Sequence, residues 1–457
     1  MIVTNSSEAY TGYIVKKRSL YWPLFYAILY SVFTIFIFRY GVIKFPTQSN
    51  SVLYLFLLGT HIFLIIGYVF GLKIRIINKR KTLKNGEQLV FNFYKKCIFI
   101  SLITFIPEFI IYSGVYNLNL SEILNRIIVG LMSPAINYQE GVSGLPNRLW
   151  SLLNYLVILT SFYRWALLPL TILLWKKIKI SYRIITLIIV LTEISKWLIK
   201  GTNKGIFDVV IVVGVSLLII NYRKTLKSYS KKNKKPIKKS KRLAFFSSIA
   251  IILMLTFSLS FFTDNIVGRY EGSLPVRNVD YDSIFYKYMP DILKNTVIAF
   301  TGYLVQGYNG LALAFELPFR TTFGAGHSSF IMYNVQSFLG VDLFTRTYQF
   351  RIQEHFGWHS LSNWHTAYLW FANDVSFIGV LVVMFIIGFI FASTWKSFLF
   401  DGNPFSYLLV ILFAMFFLYI SANNQMFSHF QTLIPFLYYM IRWSLTNGRY
   451  SWSNVQS

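Results

Sequence analysis

The sequence predicts an all-α polytopic membrane protein that crosses the bilayer about ten times and carries a large extracytoplasmic loop late in the chain. Three observations carry that reading. Of 457 residues, 55% are hydrophobic and 19% aromatic, and only 13% are charged, where soluble domains average about 25%. Apolar runs recur at ~20 residues, enough to cross a ~30 Å hydrocarbon core as helices. The basic residues, which give a net charge of +27, are crowded into a few of the segments between those runs.

The runs lie at 19–38, 51–72, 97–115, 150–174, 184–199, 206–221, 244–262, 373–395, 405–421 and 430–446. The first 18 residues lack an apolar stretch. No small-residue cleavage site follows the first run, Ser19 to Phe38, so it reads as an uncleaved signal anchor. With the N-terminus in the cytoplasm, eight lysines and arginines fall in 73–96 and eleven in 222–243, both on the cytoplasmic side. Short basic loops stay inside during insertion, so both termini are expected to be cytoplasmic. The cluster Lys231, Lys232, Lys234, Lys235, Lys238, Lys239, Lys241 and Arg242 reads as an anchor on anionic membrane lipid, each cation being worth ~1 kcal/mol there. Docking of a cytoplasmic partner is the alternative. That placement argues against nucleic acid as the partner. A single cysteine, Cys97, rules out an intrachain disulfide and a Cys-rich metal site.

Three parts follow: an N-terminal bundle of seven spans (1–262), a large outer loop (263–372) and a three-span C-terminal bundle (373–457). The loop holds Arg277, Arg320, Arg346 and Arg351 and four of the six histidines, His327, His355, His359 and His365. It is rich in Tyr, Phe, Trp, Asn and Gly, a mixture suited to stacking on sugar rings and hydrogen-bonding hydroxyls. Thr296 to Phe319 is apolar but interrupted by Gln306, Asn309 and glycines. A re-entrant or interfacial helix is expected there.

Ionisable residues inside spans cost ~2.5–3.5 kcal/mol each at mid-helix and mark candidate sites. Arg164 has no acid in its own run. It must pair with a carboxylate on a neighbouring helix or face a cavity holding an anion. Glu193 and Lys196 are three apart and could neutralise each other. Lys200-Gly-Thr-Asn-Lys204-Gly is a short outer turn whose backbone and lysines could cradle an anion, or whose lysines could simply snorkel. Asp280-Tyr-Asp282 has the spacing of metal-dependent glycosyltransferases, and His355, His359 and His365 a loose metal-ligand spacing. Neither has the further ligands a metal needs, so no metal site is expected. No phosphate-loop, dinucleotide or nucleophile-elbow motif occurs, and no cofactor is expected. His365, in Asn363-Trp-His365-Thr-Ala-Tyr directly before the eighth run, is expected at the outer interface, as a proton-transfer group or as a hydrogen-bonded interfacial histidine.

Taken together these parts resemble the Wzy-type O-antigen and capsular repeat-unit polymerases. The segments that carry the resemblance are Asn363-Trp-His-Thr-Ala-Tyr-Leu-Trp-Phe-Ala-Asn-Asp374 leading into Ser376-Phe-Ile-Gly-Val, Gly302-Tyr-Leu-Val-Gln-Gly-Tyr-Asn-Gly310 with Glu316-Leu-Pro-Phe-Arg320 after it, and the Gly201-Thr-Asn-Lys204 turn. Many members carry arginine where this chain has Lys204, and lysine lacks the bidentate fork.

The resemblance implies a GT-C-like, metal-independent membrane glycosyltransferase of the bacterial cell membrane. It would transfer a growing glycan from undecaprenyl diphosphate to a lipid-linked acceptor repeat unit in surface polysaccharide synthesis. A chain-length regulator protein is a further partner of such enzymes. His365, Arg351 and Arg346 are then the expected catalytic residues. Arg164, Lys200, Lys204, Arg320, Arg277, Glu316, Tyr303 and Asn363 are the expected substrate-binding ones. Two alternatives stay open: an O-antigen ligase, with the same donor but a lipid A core acceptor, and a lipid-linked oligosaccharide flippase.

Overall fold

In the computed structural model the described residues are 17–74, 86–116, 119–133, 136–137, 148–202, 204–230, 262–263 and 278–446. They form helices α1 (Lys17–Tyr40), α2 (Ser51–Lys73), α3 (Gly86–Ser113), α4 (Leu120–Met132), α5 (Arg148–Leu159), α6 (Ser161–Leu174), α7 (Ile180–Ile199) and α8 (Lys204–Ser230). The later part contributes α9 (Ile284–Lys287), α10 (Asp291–Ala314), α11 (Ser329–Leu339), α12 (Tyr348–Phe356), α13 (Ala367–Asp401), α14 (Pro404–Tyr419), α15 (Gln425–Ser428) and α16 (Phe430–Thr446). Among the described residues there is no β-strand, only an isolated bridge between Ile43 and Val279.

Five of these helices, α1, α2, α3, α8 and α13, are long and apolar enough to cross a membrane. The pair α5–α6, bent by 45° at Thr160, makes a sixth if it is one span. This is an all-α, membrane-embedded architecture. Every predicted run except 244–262 coincides with a helix; that run, the basic cluster 231–242 and Arg277 lie outside the described residues. Helix α14 is only 16 residues long. Nearly every side chain from Pro404 to Tyr419 is buried, which makes α14 the axis of the core.

The tightest helix pair joins the two ends of the chain. A Cβ at Gly67 would sit 2.0 Å from the Phe385 carbonyl oxygen, one at Gly71 2.4 Å from that of Phe389, and one at Gly388 2.3 Å from that of Leu64. Glycines on both helices therefore let the α2 and α13 backbones touch, the way helices associate in lipid, where apolar burial supplies no drive.

The second half of helix α10 is packed inside the fold. Leu304, Val305, Tyr308, Leu311, Ala312 and Ala314 are buried in the same core as α2, α13 and α14. Its polar residues are satisfied internally: the Thr34 and Tyr308 hydroxyls bond at 2.9 Å, and Thr47 donates to Asn309 at 2.8 Å. The stretch expected to form a re-entrant or interfacial helix is thus a helix packed in the core of the fold. The glycines that suggested a break are there for packing. Gly307 meets the Ser421 carbonyl and Thr366, and Gly310 meets His365 and Trp358.

Candidate functional site

Within the spans, the ionisable residues form one compact network. Glu108 on α3 accepts Arg164 Nε of α6 at 2.6 Å and Lys196 Nζ of α7 at 2.7 Å. Lys196 also reaches Glu193 at 2.6 Å. Arg164 spends its other donors on Thr104, Thr160 and the Val157 carbonyl. Two cations meet two carboxylates, so the cluster is neutral and ties three helices together. Arg164 thus finds its carboxylate on a neighbouring helix, and its guanidinium is fully engaged. Arg164 also lines a cavity together with Glu108, Lys196, Lys204 and Asp208, so it is both ion-paired and cavity-facing.

The turn that follows α7 opens a cavity of about 370 Å³ lined by Tyr112, Trp197, Lys200, Lys204, Ser329, Tyr333, Ser428 and His429, among others. Gly205 is required here, because a Cβ would lie 1.8 Å from the Trp197 ring. Lys204 pairs with Asp208 at 3.0 Å, and Asp208 also accepts the Tyr419 hydroxyl. Lys200 forms no ion pair among the described residues; its ammonium lies 4.3 Å from the Tyr112 ring centre and 5.7 Å from that of Trp197. Burial, then the charges of Lys196 and Lys204, pull its pKa down to about 8. His429 is held neutral, at about 3, by burial and by the two lysines. The Ser428 hydroxyl is buried and has no hydrogen-bond partner among the described residues.

A second set of groups is built by the late loop around the start of α13. Asn373 and Asp374 anchor it. Asn373 accepts the Tyr348 N–H at 2.8 Å and donates to the Gly326 carbonyl and to Gln349. Asp374 Oδ1 accepts Thr322 Oγ1 and the Gly326 N–H, and Oδ2 accepts the His327 N–H at 2.8 Å and faces its ring Nδ1 at 2.9 Å. One carboxylate thereby holds the 322–327 turn, and 26% of the His327 side chain stays exposed. Two residues on, α13 breaks at Ser376 (φ 63°, ψ 173°).

Three of the expected diphosphate ligands converge beside this turn. Arg351 is 5% exposed. Its Nη1 donates to the Pro318 carbonyl at 2.7 Å and its guanidinium lies 4.7 Å from the Tyr348 ring centre, while Nε and Nη2 have no hydrogen-bond partner among the described residues. Burial lowers its pKa, and the charges of Arg320 and Arg346 act in the same direction, opposed by Tyr348. Arg346 donates to the Thr321 carbonyl and lies over the Phe323 ring. Among the described residues none of the three forms an ion pair. Glu316, close by in sequence, is exposed and also makes no ion pair. Uncompensated buried guanidinium is costly unless an anion completes it.

The remaining sequence candidates are placed differently. His365 is 2% exposed instead of open to the interface. It is wedged against Gly310 near Trp358, with both ring nitrogens unbonded. Burial brings its pKa down to about 4, partly offset by the His359 and Ser360 backbone. The cause is the close approach of α10, which glycines permit and which linear sequence does not reveal. Tyr303 packs edge-on against Trp364 at 4.8 Å, and the Asn363 N–H bonds the His359 carbonyl. The two best-matching segments are therefore packed on each other. Asp280 pairs with Lys44 and Asp282 with Lys287, and His355 and His359 are exposed while His365 is buried.

Sequence reasoning missed the pairing of His327 with Asp374 and the whole of 420–429. The latter turn, Ile420-Ser-Ala-Asn-Asn-Gln-Met-Phe-Ser-His429, buries unbonded atoms of Ser421, Asn424, Gln425 and Ser428. A polar run this dense between two apolar helices was the available signal. Comparison with family models, with curated proteins and with solved structures returns no match for this chain.

Proposed function

We propose that this protein is a membrane glycosyltransferase that polymerises lipid-linked oligosaccharide repeat units, moving a growing glycan from undecaprenyl diphosphate to a lipid-linked acceptor. The observation that carries the reading is the Arg351 guanidinium, buried beside Arg320 and Arg346 with Nε and Nη2 unbonded and no carboxylate partner among the described residues. Such a group is suited to a leaving diphosphate, whose negative charge grows as the glycosidic bond breaks. The acceptor hydroxyl oxygen attacks the anomeric carbon, the bond from that carbon to the diphosphate oxygen breaks, and the hydroxyl proton needs a base. His327 supplies it in this proposal. Asp374 holds a proton on Nδ1, leaving Nε2 as the acceptor. His365 is displaced from that role because it is buried and weakly basic.

The proposal includes about ten spans, cytoplasmic termini, an outer face formed by 263–372, and a bacterial cell membrane. Reporter fusions at residues 80 and 235 should then read cytoplasmic and those at 130 and 340 external; an external signal at 235 overturns the orientation. The activity is tested by supplying the purified protein with lipid-linked repeat units and resolving the products. Longer glycans on the lipid diphosphate support the reading. Glycan moved only to a lipid A core acceptor makes the protein a ligase, and lipid transport without new glycosidic bonds makes it a flippase.

A further inference from the structure

We infer that the chain holds two separate diphosphate sites, and that the cavity at Lys200 takes the second one, the diphosphate of the acceptor lipid. The arginines and lysines that sequence reasoning grouped together are divided by the fold. None of Arg320, Arg346 and Arg351 lines the Lys200 cavity. The charges acting on Lys200 are Lys196, Glu193, Lys204 and Glu108, whereas those acting on Arg351 are Tyr348, Arg320 and Arg346. Each cluster has its own electrostatics.

The Lys200 cavity has the features of an anion site in its own right. Arg164, Lys196 and Lys204 are neutralised by Glu108, Glu193 and Asp208, which leaves Lys200 as the excess charge. Ser428, 3% exposed, lines the same space, and its hydroxyl has no partner among the described residues. The neutral His429 offers a ring N–H, and Ser329 Oγ already donates to the Ser428 carbonyl, which fixes the turn. A lysine on one side and a serine hydroxyl and imidazole on the other suit the oxygens of a phosphate. Trp197, Tyr112 and the exposed Tyr333 supply faces for an attached sugar or isoprenoid. The volume of about 370 Å³ accommodates a diphosphate with part of what it carries.

The assignment to the acceptor rests on the polymerase reading; the existence of the site does not. A polymerase holds two lipid diphosphates at once, and a ligase only one. The probe is inorganic pyrophosphate, titrated calorimetrically into the full chain in nanodiscs of zwitterionic lipid. Two binding events are expected. Lys200→Gln should weaken one of them about tenfold or more and leave the other, and Arg351→Gln should do the reverse. Ser428→Ala, which removes a single oxygen from a residue that lines the Lys200 cavity, should weaken the Lys200 event alone and guards against a misfolded lysine variant. One event, lost in Arg351→Gln and unchanged in Lys200→Gln and Ser428→Ala, overturns the second site. Loss of the Lys200 event when phosphatidylglycerol is included in the nanodisc overturns the diphosphate assignment and makes it a headgroup site. Two events in a protein that never extends lipid-linked glycan would sink the polymerase reading and leave the site standing.

Discussion

Asp374 and His327 face each other across 2.9 Å, carboxylate oxygen to ring nitrogen, although 46 residues separate them in the chain. The same carboxylate accepts the His327 backbone N–H, so ring and backbone are oriented by one group. Such a pair fixes a tautomer, and fixing it is what turns a histidine into a directional base.

His327→Gln should lower chain extension by about 10²–10⁴-fold, the usual worth of a general base. Asp374→Asn should lower it too, because the amide can present its N–H to Nδ1 and so favour the other tautomer. Lipid-diphosphate binding should survive in His327→Gln. His365→Ala is the comparison. If it abolishes extension while His327→Gln does not, the base has been assigned to the wrong imidazole.

Arg351→Ala should eliminate polymer while the protein still reaches the membrane, and Arg351→Lys should restore only a fraction. A lysine gives a point charge in place of a planar fork that can hold two oxygens. The measurement is product length on lipid-linked substrate. Unchanged length in Arg351→Ala removes this guanidinium from the site.

Glu108→Gln should destabilise the protein by about 3–5 kcal/mol, the cost of breaking a buried ion pair from one side. Lys196 is 2% exposed and Arg164 9% by side chain, and both lose their shared carboxylate. Glu193→Gln should cost much less, since Glu193 is 35% exposed and water can replace it. Thermal unfolding in detergent compares the two variants; equal losses contradict a central role for Glu108.

Pyrophosphate binding at the Lys200 cavity should weaken as pH rises through about 8. Burial and the neighbouring lysines lower this pKa, so the ammonium is mostly charged at pH 7 and loses its proton in mild alkali. A bound anion favours the charged form and raises the pKa. Affinity therefore falls by up to about tenfold per pH unit above the free-site value. Titrations at pH 7, 8 and 9 check the sign; a flat profile means that Lys200 does not touch the anion.

The helices were legible in the sequence because an apolar run of membrane length has few other uses, and the runs 51–72 and 373–395 became α2 and α13, the latter longer at both ends. The arginines were legible as a type: Arg320, Arg346 and Arg351 were candidates, and they meet. Their separation from Lys200 was not legible, since it depends on which helices touch. A carboxylate partner for Arg164 was one of two options, and that it is Glu108 was not legible, because the two sit on different helices. His365 was misplaced for a related reason. An imidazole before a span reads as interfacial until Gly310 brings α10 against it.

The seam between α2 and α13 has a consequence for how the chain is made. Gly67 and Gly71 fit only the backbone of a helix that leaves the ribosome far later. During synthesis α2 therefore waits in the bilayer with a bare groove along one side, filled by lipid or by some provisional neighbour. Assembly of the core is completed only when α13 arrives and displaces that occupant. The last third of the chain thus decides when the first third becomes native, and a truncation before Ala367 should leave inserted helices without a folded protein.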